Sequence, residues 1–161
     1  MIPITKPSLD KNDLKHIKNV LSSKILTDGF YQKKSENIIK KYLNSKFIAL
    51  THSCTAALEI SGILINLKHG DEVILPSYGF VSVANAIALR GAKPIFVEIN
   101  PNDLNISYED IIRKTTKKTK AIYIIHYAGN ACDIERISHY AKSKKIFLIE
   151  DAAHAFLGKY R

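Results

Sequence analysis

Short apolar runs and amphipathic stretches alternate along most of this chain. Runs typical of buried strands occur at residues 46–50, 72–75, 94–99, 121–126 and 146–150. Patterns typical of helices lie between them, at residues 55–66, 81–90, 107–114 and 134–143. Because strands and helices alternate in this way, we predict an α/β fold with a mostly parallel sheet and helices on both of its faces.

The N-terminal part of the chain follows a different pattern. Two helices are predicted there, at residues 11–22 and 32–43, and the turn 27–29 (Thr-Asp-Gly) joins them. We therefore divide the chain into an N-terminal helical segment, 1–45, and an α/β part, 46–161. The whole length of 161 residues is enough to bury one hydrophobic core.

The composition is that of an ordinary soluble protein, with 46% apolar and 24% charged residues. Two cysteines, Cys54 and Cys132, are too few for a disulfide framework and show no metal-ligand spacing. The N-terminus has no signal-peptide pattern, and the longest apolar stretch, 56–67, contains Glu59 and is too short to cross a bilayer. We therefore expect a cytoplasmic location, no metal and no membrane partner.

The net charge of +9 raises the question of a nucleic-acid partner. However, 20 of the 24 basic residues are lysines, and they are scattered through predicted helices and turns. The two small clusters, at 116–120 and 142–145, are typical of solvated loops before strands, and few aromatic residues accompany them. We therefore expect no nucleic-acid partner.

A carboxylate follows the last predicted strand, in the motif 150–154 (Glu-Asp-Ala-Ala-His). In open α/β sheets the ligand crevice lies outside the carboxyl ends of the strands. A buried Asp151 at that position needs a partner, because an unpaired charge in a dry site is costly. The protonated ring nitrogen of pyridoxal 5′-phosphate is one such partner, and a simple capping role for Asp151 in the next turn is the alternative.

Small and hydroxylated residues occupy the segment 51–57 between a predicted strand and a predicted helix. Free backbone N–H groups and the dipole at a helix N-terminus would make this segment a phosphate-sized socket. The sequence has neither the G-x-G-x-x-G nor the G-K-[ST] pattern, which argues against dinucleotide and P-loop sites. The alternative is a plain N-cap by Ser53 or Thr55, and the segment taken alone favours this alternative.

Two further strand ends carry aromatic or polar side chains. In the segment 76–82, Phe80 is suited to stack on a planar heteroaromatic ring, a contact of about 1 kcal/mol, or to be one more core aromatic. In the segment 126–129 (His-Tyr-Ala-Gly), we predict that His126 is a hydrogen-bonded packing residue rather than a catalyst. Together, four strand ends are predicted to face one crevice.

Several spaced motifs resemble the DegT/DnrJ/EryC1/StrS family of pyridoxal-phosphate-dependent sugar aminotransferases, which have fold type I. The motifs that carry the resemblance are 53–59, 70–77, 84–86, 90–94, 126–129 and 150–154. The resemblance runs over essentially the whole chain. The Ser-Cys-Thr-Ala and His-Tyr-Ala-Gly motifs are most similar to enzymes that aminate C4 of a nucleotide-linked 4-keto sugar.

The resemblance implies a set of cofactor-binding residues. Seven are assigned to pyridoxal 5′-phosphate: Ser53, Cys54, Thr55, Ala56, Phe80, Asp151 and His154. Thr55 and Ala56 would bind the phosphate at a helix N-terminus, and Phe80 would stack on the ring. Asp151 would keep the ring nitrogen protonated, and His154 would lie beside the phenolic oxygen.

One family feature is not matched. The lysine that forms a Schiff base with the cofactor lies in a Ser-Phe-His-x-Thr-Lys-Asn-like segment, expected beyond Arg161, and Lys159 is too close to Asp151 to replace it. No catalytic residue is therefore assigned. The resemblance implies that residues 46–161 are the N-terminal portion of an incomplete large domain. In the family the first strand lies beside strands from late in the chain. Without those strands, residues 47–50 would lose their neighbours, and the strand that ends at Asp151 would become an exposed edge. We expect a piece of a broken or split gene that folds poorly and is inactive alone.

The implied activity is transfer of an amino group, from glutamate, to a nucleotide-linked 4-keto sugar for surface polysaccharide or lipopolysaccharide synthesis. The implied partners are the nucleotide sugar, the amino-acid donor, and either a second copy in a homodimer or a complementing C-terminal polypeptide. Two alternatives remain open: a pyridoxal-phosphate-dependent sugar dehydratase of the same family, in which His replaces the lysine, and a non-catalytic binding or regulatory remnant.

Overall fold

A computed structural model describes residues 6–160 of the chain. These residues form two compact units, one ending at Leu50 and the other beginning at Thr51. Residues 1–5, where no signal peptide is predicted, and Arg161 lie outside the described residues.

The first unit contains the two predicted helices, α1 (Lys11–Ser22) and α2 (Phe30–Leu43). A capping box starts α1, because the Asp10 carboxylate accepts from the backbone N–H of Asp13 while the Asp13 carboxylate accepts from that of Asp10. Asn44 ends α2 in the left-handed conformation, with φ of 49°. The predicted pair of helices is confirmed, with α2 beginning two residues earlier than expected.

The strand predicted at residues 46–50 is wrong for the part of the chain that the structure describes. The backbone of this segment has no ladder partner there, and the Phe47 side chain is 87% exposed. A strand exists only when its N–H and C=O groups pair with a neighbour. The apolar pattern of this segment is typical of an extended, buried strand, but the pattern does not determine whether a neighbouring strand is present to pair with it.

The second unit is built on four parallel strands in the order β2-β1-β3-β4. The strands are β1 (Glu72–Pro76), β2 (Lys93–Val97), β3 (Thr119–Ile125) and β4 (Phe147–Asp151). Their bounds fall within two residues of the predicted ones, so the predicted parallel sheet is confirmed. In the described sheet β4 is an edge strand, as the family resemblance implied for the strand that ends at Asp151.

Helices cover both faces of this sheet. The helices are α3 (Cys54–Leu64), α4 (Ser82–Ala88), α5 (Tyr108–Lys114) and α6 (Ile134–Lys144). Along β3, Ala121 and Tyr123 pack in a core with residues of α3 and α4, whereas Ile122 and Ile124 pack in a second core with residues of α5 and α6. This alternation follows from the two-residue side-chain period of a strand. The α/β architecture with two helical layers is therefore confirmed.

Asp110 of α5 is a buried carboxylate with complete compensation. It accepts the backbone N–H of Glu98 at 2.7 Å and the Arg113 Nε–H at 2.6 Å, and Lys114 Nζ lies 3.2 Å away. Burial by itself would raise the Asp110 pKa, but the bond from Glu98 and the two cations outweigh burial and lower the pKa below its usual value. Asp110 thus ties α5 to the segment that follows β2.

We expect Asp110→Asn to destabilise the fold by about 1–3 kcal/mol at pH 7. A carboxyl with a lowered folded pKa stabilises the protein above its unfolded pKa of about 3.9, and this contribution is lost as the pH falls through the folded value. The loss caused by the substitution should therefore shrink below about pH 4. Urea unfolding at pH 7 and pH 3 measures both values, with the exposed Glu135→Gln as a control. An equal loss at the two pH values would contradict this account.

Candidate functional site

The carboxyl ends of β1, β3 and β4 and the amino end of α3 surround a cavity of about 390 Å³ in the second unit. Its lining residues are Cys54, Thr55, Tyr78, Gly79, Phe80, Ser82, Tyr127, Asp151, Ala153 and His154. The parallel sheet places these strand ends at one edge, which is where ligands bind in α/β folds. This cavity is called the strand-end cavity below.

Five of the seven predicted cofactor-binding residues line the strand-end cavity: Cys54, Thr55, Phe80, Asp151 and His154. The other two, Ser53 and Ala56, bond to each other, because the Ser53 hydroxyl accepts the Ala56 N–H at 3.1 Å. Ser53 is therefore the N-cap of α3, which confirms the simpler interpretation of that residue. Direct contacts of Ser53 and Ala56 with a ligand stay a prediction.

The amino end of α3 offers free donors to the cavity. Among the described residues, no acceptor is found for the backbone N–H groups of Cys54 and Thr55, the first two residues of this helix. Such unpaired N–H groups, together with the helix dipole, favour an anion. Because both residues line the cavity, this end of it is suited to a phosphate.

Asp151 is a buried carboxylate without a cation. Only 8% of the residue is exposed, and its Oδ1 accepts the Ala153 N–H at 3.0 Å and the Cys54 thiol at 3.6 Å. No basic side chain pairs with it among residues 6–160. A buried charge left in this state costs free energy, so the carboxylate is suited to a positively charged ligand group.

The Cys54 thiol donates a hydrogen bond to Asp151, and its pKa lies above the ordinary value of a thiol. Burial raises its pKa, and both the negative charge of Asp151 and the hydrogen bond to it raise the pKa further. The other cysteine, Cys132, is buried in the core, and burial raises its pKa to about 11. The structure therefore gives neither cysteine the features of a catalytic thiolate.

Phe80 lies open to solvent beside the cavity, with 73% of the residue exposed. The alternative that it is a core aromatic is therefore wrong, and its stacking on a ligand ring stays a prediction. Gly79 precedes it, and a Cβ added there would clash with the Ile125 side chain. The absence of a side chain at Gly79 lets this loop lie against the end of β3.

Two tyrosines were not among the predicted site residues. Tyr78 and Tyr127 pack with ring centroids 4.9 Å apart, and the Tyr127 hydroxyl donates to that of Tyr78 at 3.0 Å. This bond, helped by burial, raises the Tyr127 pKa, so Tyr127 stays protonated at neutral pH. Both residues lie within two positions of a strand end, in the segments 76–82 and 126–129 that were identified from the sequence. Their position after a strand could therefore have identified them as site residues.

His154 is held by the turn that follows β3. The backbone N–H of Ala128 donates to His154 Nδ1 at 3.3 Å, and the Tyr127 ring lies edge-on to the imidazole at 5.8 Å between centroids. Ala128 itself has a left-handed backbone, with φ of 50°. Because Nδ1 accepts a bond, the neutral ring carries its proton on Nε2 and can donate there.

The backbone and side-chain groups of the strand-end cavity fit a planar ligand with an anion at one end and a cation on its ring. The free N–H groups of α3 suit the anion, Asp151 suits the ring cation, and Phe80 offers an aromatic face. Pyridoxal 5′-phosphate has these three features. Within residues 6–160, no group of His, Cys, Asp and Glu side chains could hold a metal ion.

Within the same residues, no helix has the length and apolar character needed to cross a membrane.

His126 is a buried residue whose ring nitrogens both make hydrogen bonds, so its predicted packing role is confirmed.

Comparisons with known proteins point to one family. The sequence profile described as "DegT/DnrJ/EryC1/StrS aminotransferase family" matches residues 7–161. The chain is 37% identical over 161 residues to GDP-perosamine synthase of Escherichia coli O157:H7, covering 99% of this chain and 44% of that protein. It is 34% identical over 160 residues to UDP-4-amino-4-deoxy-L-arabinose–oxoglutarate aminotransferase of Shewanella sediminis, covering 99% and 41%. The chain thus spans less than half the length of these relatives.

Two solved structures of similar enzymes also match this chain over most of its length. The aminotransferase TlmJ of Streptoalloteichus hindustanus has a TM-score of 0.92 and 33% identity, covering 98% of this chain and 43% of that one. The GDP-4-keto-6-deoxy-D-mannose-3-dehydratase of E. coli, with bound hydrated pyridoxal phosphate, has a TM-score of 0.87 and 30% identity. The dehydratase match covers 92% of this chain and 40% of the dehydratase.

The contact between Cys54 and Asp151 predicts how the thiol reacts. At pH 7.5, Asp151→Asn should speed alkylation of Cys54 by iodoacetamide several-fold, because removing the negative charge lowers the thiol pKa and increases the thiolate fraction. Mass spectrometry of quenched time points measures the rate. Cys132 should stay unmodified in both proteins and serves as the internal control. Equal rates at Cys54 would contradict the contact.

Proposed function

Because this chain belongs to the DegT/DnrJ/EryC1/StrS aminotransferase family, we propose that its strand-end cavity binds pyridoxal 5′-phosphate as part of a sugar aminotransferase. The observation that carries this proposal is Asp151, a buried carboxylate with no cation among the described residues, in one cavity with the free N–H groups of α3. A protonated pyridine and a phosphate on one ligand would satisfy both groups at once.

At the phosphate end, the backbone N–H groups of Cys54 and Thr55 would donate to the phosphate oxygens, and the Thr55 hydroxyl would add a further donor. Ser53 and Ala56 would act indirectly, because the bond between them keeps the first turn of α3 closed. The anion would therefore be bound mainly by backbone groups whose positions the helix determines.

At the ring end, the bound cofactor supplies an electron sink, and its capacity depends on a protonated ring nitrogen. Asp151 would hold that proton on the nitrogen, because an opposite charge favours the protonated form. Phe80 would stack on one face of the ring, and His154 would donate its Nε2–H to the phenolic oxygen. The Cys54 thiol would hold Asp151 Oδ1, which leaves Oδ2 for the ring.

For the complete enzyme, we propose transfer of an amino group from glutamate to a nucleotide-linked 4-keto sugar, feeding polysaccharide synthesis in the cytoplasm. Support comes from the names of two relatives, GDP-perosamine synthase and UDP-4-amino-4-deoxy-L-arabinose–oxoglutarate aminotransferase. Residues 46–161 would form the N-terminal portion of the cofactor-binding domain. A second copy or a complementing C-terminal polypeptide would complete the site, and the Schiff-base lysine would lie beyond Arg161.

A sugar dehydratase is the second candidate, because the E. coli dehydratase aligns with 92% of this chain at a TM-score of 0.87. The residues of the strand-end cavity serve the two reactions equally well, since both need a bound and protonated cofactor ring. The discriminating residue, a lysine or a histidine, would lie beyond Arg161.

Equilibrium dialysis with pyridoxamine 5′-phosphate tests the proposed cofactor site. This form has no aldehyde, so it forms no adducts with the 20 lysines of the chain. We expect Asp151→Asn and Thr55→Val each to weaken binding about tenfold, or about 1.4 kcal/mol, through loss of a charge-assisted or hydroxyl bond. Thr115→Val, remote from the cavity, is the control. No binding by the unmodified chain would contradict the proposal.

Reduction with borohydride after addition of pyridoxal 5′-phosphate tests where the Schiff-base lysine lies. We expect only low, scattered labelling of surface lysines, because no lysine lines the strand-end cavity among the described residues. Peptide mapping by mass spectrometry measures the labelling at each lysine. Stoichiometric labelling of a single lysine would show that this chain supplies the reactive amine itself.

A further inference from the structure

His126 follows the last residue of β3 and connects three parts of the second unit. Its backbone N–H donates to the Asp151 carbonyl at 3.1 Å, which extends the ladder between β3 and β4 by one bond. Its Nδ1 accepts the backbone N–H of Cys132 at 3.1 Å, and its Nε2 lies 3.0 Å from Glu150 Oε2. Only 8% of the residue is exposed, so water offers these groups little competition.

These contacts determine the tautomer of His126. A backbone N–H can only donate, so the Nδ1 that receives the Cys132 N–H must be unprotonated. The neutral ring therefore carries its proton on Nε2 and donates it to the Glu150 carboxylate. The imidazole thus acts as a fixed brace between the segment before α6 and the end of β4.

Glu150 and Asp151 are consecutive residues of β4, so their side chains point to opposite faces of the sheet. Asp151 lines the strand-end cavity, whereas Glu150 and His126 line a smaller cavity of about 170 Å³, together with Lys159 and Tyr160. A rotation of the β4 end that moved Glu150 would also move Asp151. Because β4 is an edge strand in the described sheet, β3 is its only strand neighbour there.

We infer that His126 is a positioning residue, which through its bond to Glu150 aims the Asp151 carboxylate into the strand-end cavity. The bond from His126 holds Glu150 on one face of β4, and the fixed strand end in turn determines the direction of the Asp151 side chain on the other face. The inference rests on the proposed function, in which Asp151 meets the cofactor ring. It gives a role to a histidine that does not touch the strand-end cavity.

Two matched substitutions separate the contacts of His126. In His126→Gln the side-chain amide can still donate to Glu150, and the acceptor for Cys132 is lost. In His126→Asn the shorter side chain can still accept the Cys132 N–H, and the donor to Glu150 is lost. A purely structural role predicts similar consequences from both, whereas the positioning role predicts that only His126→Asn disturbs Asp151.

Amide hydrogen exchange of Ala153 reads the position of Asp151 without any cofactor, because the Ala153 N–H donates to Asp151 Oδ1. We expect His126→Asn to speed this exchange about tenfold and His126→Gln to change it less than threefold. Thermal unfolding of both variants shows the general loss of stability. Ala153 exchange that rises equally in the two variants, in step with that loss, would overturn the inference.

A double-mutant cycle with pyridoxamine 5′-phosphate then links the brace to the cofactor. His126→Asn should weaken binding about tenfold in the unmodified chain and leave the affinity of the Asp151→Asn chain unchanged. If the fold-losses in affinity from His126→Asn and Asp151→Asn simply multiply in the double variant, the positioning role is overturned. If the unmodified chain does not bind the ligand, the proposed function fails, and the Ala153 exchange result alone decides the inference.

Substitution at Glu150 keeps the test open if the His126 variants do not fold, because its side chain is half exposed. Glu150→Ala removes the acceptor and should reproduce the faster Ala153 exchange. Glu150→Gln retains an acceptor oxygen and should behave like the unmodified chain. Unchanged exchange in Glu150→Ala, or exchange that is equally fast in both variants, would overturn the inference. Nitrogen-15 spectra that find the proton on His126 Nδ1 would also overturn it.

Discussion

The parallel pairing of β3 with β4 is the constraint on which the candidate site depends. Its register joins Ile125 to Asp151, and the next backbone bond runs from the His126 N–H to the Asp151 carbonyl. Because parallel strands end at the same edge of a sheet, this pairing brings the turn after β3 beside the residues that follow β4. The bond from Ala128 to His154 depends on that proximity.

Two buried aspartates show how the same residue type serves different purposes. Asp110 accepts a backbone N–H and lies beside Arg113 and Lys114, so its charge is compensated within the fold. Asp151 has only the Ala153 N–H and the Cys54 thiol as partners among the described residues. The first arrangement supports stability, whereas the second holds a negative charge whose compensation is left to a ligand.

Much of the fold could be predicted, because each of the four paired strands and their helices has its own apolar pattern. Segment 46–50 has the same pattern but no ladder partner in the described part of the chain, since apolar character encodes burial and not the identity of a neighbour. Within the site, Asp151 and Phe80 were predictable from their positions after strands. The cofactor roles of all seven assigned residues stay predictions.

The sequence by itself determined what depends on near neighbours: the alternation of strands and helices, and the motifs that carry the family resemblance. Only the tertiary structure decided the contacts between distant residues. Cys54 and Asp151 are 97 positions apart, Tyr78 and Tyr127 are 49 apart, and His126 and Glu150 are 24 apart. Such pairs form because the sheet brings its strand ends to one edge, and no local pattern specifies which side chains meet there.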